Sequence, residues 1–205
     1  MIPAQEALNR LRDGNRRFAT ESFNARSVSV TRMRTAAGQQ PFAIVLGCSD
    51  SRVPAEIVFD QGLGDLFVIR VAGNIVAPSQ IGSIEYAATS FDTRLVVVLG
   101  HSQCGAVLAA VDELRAPAET RSRNLKSIVD FVRPSVERCL VDGMNDDHDA
   151  LVERAVRANI RSSVEHLRHG SEILEELIDN QGLRIVGAEY SLQTGLVEFL
   201  DDDNH

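Results

Sequence analysis

The sequence predicts an α/β fold, a mostly parallel β-sheet flanked by helices and preceded by an N-terminal helical arm. Three observations predict it. Apolar, β-rich runs recur at 43–46 (AIVL), 66–69 (LFVI), 95–99 (LVVVL) and 184–188 (RIVGA). These runs are continuous rather than alternating, as in parallel strands covered on both faces. Helical patterns lie between them, and that alternation implies right-handed crossovers in an open sheet. No internal repeat, low-complexity tract or interdomain linker interrupts the 205 residues. The chain therefore reads as one domain over 1–205, with a helix and dimerisation arm over 1–35 and an α/β core over 36–205.

The elements follow in order. Residues 4–20 have helical spacing, and 21–35 (ESFNARSVSVTRMRT) have weak periodicity. This arm either wraps a partner subunit or folds back on its own core. After the first strand, GLGDLF at 62–67 lacks a phosphate-loop lysine and precedes a strand, so it reads as a turn. Gly73-Asn74 reads as a tight turn after the second strand. A helix is expected over 79–91, and another from Gly105 through AVLAAVDELRA. The pattern over 122–142 contains Pro134, which is expected to kink or break it. Residues 147–179 place Leu151, Val152, Val156, Ile160, Val164 and Leu167 at helical spacing, and Gly170 divides off a second helix around 171–179. The acidic tail DDDNH reads as frayed.

Hydrophobic residues make up 44% and charged residues 24%, an ordinary soluble composition. A net charge of −8 argues against binding to nucleic acid or to acidic membranes. No stretch is long and apolar enough to span a bilayer. The charged, helical N-terminus is no secretory signal, so a cytoplasmic location is expected. Three cysteines, Cys48, Cys104 and Cys139, do not make a disulfide framework.

Two polar clusters stand at the carboxyl ends of apolar strands, where open α/β sheets gather their ligands. One is CSDSR, Cys48 to Arg52; the other is GHSQCG, Gly100 to Gly105. If the two strands are neighbours, Cys48, Asp50, His101 and Cys104 converge. Two thiolates, an imidazole and a carboxylate suit tetrahedral zinc, and soft sulfur disfavours magnesium and calcium. A phosphatase loop fails because position 54 is Pro where it needs Arg, and a redox pair fails because His101 replaces the first Cys of C-x-x-C. Neither serine cluster has the nucleophile-elbow pattern. Cys139 is expected to be buried and inert, and His166 with His169 to lie on an exposed helix face.

With these motifs the chain resembles the β-class carbonic anhydrases. The resemblance rests on CSDSRVPAE (48–56), GDLFVIRVAGNIV (64–76), SIEYA (83–87) and GHSQCGAV (100–107). It implies a zinc enzyme that hydrates carbon dioxide reversibly to bicarbonate and a proton. Cys48, His101 and Cys104 would hold zinc. Asp50 would take the fourth position or step back to accept a hydrogen bond from zinc-bound water, and Arg52 would hold Asp50 in the retracted state. Phe67 and Tyr86 fall on substrate-pocket positions, and Gln39 matches a glutamine reaching in from a neighbouring subunit. The Gly105 amide, at a helix start, would donate to bicarbonate. The resemblance further implies a homodimer or tetramer. An inhibitory bicarbonate site would map to Val45, Arg70 and Tyr190, but its tryptophan is absent. The alternatives are hydrolysis of carbonyl sulfide or carbon disulfide on the same scaffold, and a non-catalytic zinc protein with closed coordination.

Overall fold

Each apolar run becomes a strand: β1 (Ala43–Gly47), β2 (Leu66–Arg70), β3 (Leu95–His101) and β4 (Arg184–Tyr190). The computed structural model describes residues 2–22, 35–36, 38–115, 122–142 and 147–200. Most of the predicted arm and the acidic tail lie outside these residues. A fifth strand, β5 (Val197–Phe199), gave no apolar run to find it by. The sheet order is β2-β1-β3-β4-β5, parallel except for β5, which runs antiparallel to β4. Strands β1 and β3 are buried throughout, whereas β2, at the edge, is largely half-exposed.

Apart from one single-turn helix, the helices match the predicted ones closely. They are α1 (Ala4–Ala19), the one-turn α2 (Ala55–Val58), α3 (Pro78–Ser90), α4 (Gly105–Arg115), α5 (Arg123–Asp142), α6 (His148–His169) and α7 (Glu172–Gln181). Helix α3 starts on Pro78, whose missing N–H would be unpaired there anyway. Asp147 caps α6 by accepting from the Ala150 amide at 2.8 Å. Helix α7 ends on Gly182 in the left-handed region. The expected break at Pro134 does not occur, and α5 runs through it. Val129, Val132 and Val136 are buried on either side of the proline, and that packing carries the helix across one lost hydrogen bond.

Successive strand residues point to opposite faces. Ile44, Leu46, Val96 and Val98 face the core built with α3 to α7, while Ala43, Val45, Val97 and Leu99 face α1 and Phe59. The N-terminal helix thus folds onto its own sheet, with Leu8 and Leu11 fully buried. It packs by its backbone: a Cβ on Gly14 would meet the Phe59 carbonyl oxygen at 1.8 Å.

Candidate metal centre

Strands β1 and β3 are parallel neighbours, with Gly47 beside Leu99. The chain therefore leaves both strands at the same end of the sheet. Cys48 follows β1 at once, His101 is the last residue of β3, and Cys104 immediately precedes α4. Their ligand atoms lie within 4.8 Å of one another, and all three residues are buried. The two sulfurs are 4.0 Å apart. Two zinc–sulfur bonds of roughly 2.3 Å at a tetrahedral angle ask for about 3.8 Å.

The imidazole is prepared for a metal. Its Nδ1 lies 2.9 Å from the Ser102 carbonyl, to which it donates, so Nε2 carries the lone pair. Nε2 is buried and makes no hydrogen bond. An orphaned buried nitrogen is costly, and a cation beside two sulfurs resolves that cost. Ser102 is itself fixed. Its amide donates to the Tyr190 carbonyl at 3.0 Å, and its hydroxyl accepts from the Leu192 amide at 3.0 Å. Gln103, at φ 56°, turns the chain from His101 to Cys104.

The electrostatics agree. The Cys48 thiol is pushed down to about 4: its contact with the Cys104 sulfur leads, burial opposes, and His101 with the amides of Gly73 and Asp50 adds to the fall. Cys104 is pushed up, first by the same contact and then by burial, although the amides of Ala106 and Val107 in the first turn of α4 favour its thiolate. Without a metal, one proton stays with the pair; a bound cation lets both sulfurs ionise. Burial resists charge on His101, but the Cys48 sulfur, the Ser102 carbonyl and the Asp50 carboxylate together outweigh it and raise the ring's pKa. The donor set, its spacing and the orphaned nitrogen all fit zinc.

Asp50 stands outside this trio. Arg52 grips it as a fork, Nε to Oδ1 at 2.9 Å and Nη2 to Oδ2 at 2.7 Å, and the Arg52 amide adds a third bond at 3.0 Å. That grip, against a smaller cost of burial, holds the carboxyl far below the usual range, so it is ionised and can only accept. Its Oδ2 lies 3.9 Å from His101 Nε2. Arg70 clamps the loop from below, donating to the carbonyls of Cys48 at 3.0 Å and Asp50 at 2.5 Å.

Other predicted residues fall in different places. Phe67, Tyr86 and Phe91 form one aromatic cluster, with ring centroids 5.6 to 6.2 Å apart. Tyr86 is 55% exposed on this chain, so plain burial does not account for it. Gly105 is exposed in the first turn of α4. Gln39, also exposed, lies beyond the amino end of β1, a strand length of roughly 16 Å from the metal-binding end. Val45 and Tyr190 are buried in the core on the α1 side, and Arg70 donates to the Cys48–Asp50 loop. Cys139 is buried, and His166 and His169 are exposed. Among the described residues, the Cys48–His101–Cys104 group is the only one spaced for a metal. Sequence reasoning missed a contact to the first ligand: the Gly73 amide lies 3.4 Å from the Cys48 sulfur. Gly73-Asn74 is a turn as predicted, but it also feeds the site.

Comparison with known proteins gives a consistent result. A family model described as carbonic anhydrase matches residues 43–197. The carbonic anhydrase 2 of Mycobacterium tuberculosis is 41% identical over 189 residues, covering 90% of this chain and 87% of that protein. The carbonic anhydrase of Mycolicibacterium smegmatis is 38% identical over 192 residues, covering 92% and 89%. Among solved structures, a Coccomyxa β-carbonic anhydrase in complex with acetazolamide superposes with a TM-score of 0.74 at 27% identity, covering 94% of this chain and 86% of that one. A tetrameric β-carbonic anhydrase from Sordaria macrospora gives 0.74 at 25% identity, covering 83% and 85%.

Proposed function

The chain belongs to the β-carbonic anhydrase family, and from that premise we propose how its own residues divide the work. The reaction is the reversible hydration of carbon dioxide to bicarbonate and a proton, and the cofactor is zinc. The observation that carries the assignment is the buried Cys48–His101–Cys104 trio with an orphaned Nε2 and a carboxylate latched beside it.

Cys48, His101 and Cys104 would hold the metal, which when bound would supply the Lewis acidity that makes water a nucleophile near neutral pH. Carbon dioxide needs no protonation before attack, so the protein has to orient the nucleophile and exclude competitors. Asp50, ionised and acceptor-only, receives the hydrogen bond that orients it. Arg52 keeps Asp50 retracted, so that it does not occupy the fourth ligand position itself. The half-buried Phe67 and the exposed Tyr86 offer an apolar approach for a linear, apolar substrate. The amide of Gly105, at the amino end of α4, donates to bicarbonate as its charge develops. Three protein ligands with the carboxylate held back leave an open position, which speaks against a closed structural site. The relatives' names give no support to the sulfide-hydrolysing alternative.

We further read residues 1–205 as one domain, supported by a single sheet with a core on each face. We read the working unit as a homodimer or tetramer. The open β2 edge and the exposed Ile57, Leu63 and Tyr86 support that, as does the tetrameric state of the Sordaria relatives. Gln39, too far from its own chain's centre, would complete a neighbour's pocket. No helix of the described residues is long and apolar enough to cross a membrane. A cytoplasmic setting is supported by thiols that must stay reduced to bind metal.

The test is metal analysis beside carbon dioxide hydration. One zinc per chain is expected. Cys48→Ser and Cys104→Ser should lose both zinc and activity, and Cys139→Ser neither. Active protein without zinc would overturn the assignment.

A further inference from the structure

Two polar side chains interrupt the buried stripe of α6. Asn159 and Ser163 stand one helical turn apart among Val156, Ile160 and Val164, and are only 3% and 6% exposed. An amide and a hydroxyl placed there destabilise the fold unless each finds a partner. Both partners lie on one short turn. Asn159 Nδ2 donates to the Gly73 carbonyl at 2.8 Å, and Ser163 Oγ donates to the Asn74 carbonyl at 3.2 Å.

That turn has one backbone bond of its own, from the Asn74 amide to the Val71 carbonyl at 3.0 Å. Gly73 and Asn74 are consecutive left-handed residues, with φ of 71° and 43°. Asn74 is a non-glycine residue in that region, a conformation asparagine enters more readily than most side chains but not without strain. Such strain persists only where the surroundings enforce it, and it gathers at functional sites. The turn is also pressed against α4: a Cβ on Gly73 would come within 3.0 Å of the Ala106 Cβ. What this arrangement delivers is one N–H, that of Gly73, 3.4 Å from the Cys48 sulfur.

We propose that Asn159 and Ser163 are positioning residues of the metal centre, holding the Gly73–Asn74 turn from α6 so that its amide stays on the Cys48 sulfur. The proposal rests on Cys48 being a metal ligand. An N–H bound to a thiolate draws on the sulfur lone pairs and leaves less density for a metal. The metal is then the stronger Lewis acid. Groups behind the ligands of a metal site commonly act in this way.

Cobalt(II) in place of zinc reads the sulfur directly, through its thiolate-to-metal absorption band. Asn159→Leu keeps most of the volume and removes the donor; Ser163→Ala removes the hydroxyl. Each is expected to move the band to longer wavelength. In the zinc protein, hydration near neutral pH is expected to fall about tenfold, to recover at higher pH, and to do so at unchanged zinc content. Val156→Ala, on the same helix but without a bond to the turn, should lower the melting temperature and leave the band in place. A band unmoved in Ser163→Ala and in any folded Asn159→Leu would reduce both residues to packing and overturn the proposal. No band in the cobalt-treated wild type would instead remove the metal reading beneath it.

Discussion

Arg52 sets where Asp50 sits, by three bonds to one carboxylate. Arg52→Ala should free Asp50 to reach the metal. The expected outcome is zinc content near wild type with turnover down about 100-fold and carboxylate coordination of the metal. Zinc lost together with turnover would make Arg52 a structural support, and turnover near wild type would leave it an ordinary ion-pair partner. Cys48, Asp50, Arg52, His101 and Cys104 were legible in the sequence because each cluster directly follows an apolar strand. Gly73, Arg70, Asn159 and Ser163 were not. They act through backbone groups across separations such as 22 residues for Arg70 and Cys48, or 86 for Asn159 and Gly73, and no local spacing records that. The available signal was the pair of polar residues inside an apolar helical stripe.

At the scale of elements, continuous apolar runs announced the parallel strands, and Gly170 announced the gap between α6 and α7. Strand β5 has three residues and α2 one turn, too short for any period to show. Pro134 does not break the helix for a definite reason: the rule counts one missing N–H, but valines packed before and after it hold the helix together. The proline still weakens α5, since the Asp130 carbonyl loses its helical donor. Pro134 is exposed, so replacing it opens no cavity. Pro134→Ala is therefore expected to stabilise the protein by about 1–3 kcal/mol, after allowing for the greater freedom of the unfolded chain. Denaturant unfolding measures this, and a lowered midpoint would show that the proline is required by its surroundings.

At the scale of the whole molecule, β2 is an edge strand that pairs with no further strand among the described residues, and Ile57, Leu63 and Tyr86 are exposed. Unpaired edges and apolar patches of this kind invite a partner. Sedimentation should show at least two chains for the wild type, and the double variant Ile57→Asp with Tyr86→Asp should run as one. A fully active single-chain wild type would refute the association. Truncating the N-terminus is the poorer test, because Leu8 and Leu11 would leave the core with it. Cys48 and Cys104 are separated by 56 positions in the chain, and between them lie α2, β2, the Gly73 turn, α3 and β3. A cation held at both ends of that stretch would be a removable crosslink. A cation that binds only the folded chain adds its binding free energy to the stability of the fold. Stripping the metal is expected to loosen the very stretch that carries the edge strand β2. Zinc supply is therefore expected to govern how long the folded molecule lasts as well as how fast it turns over.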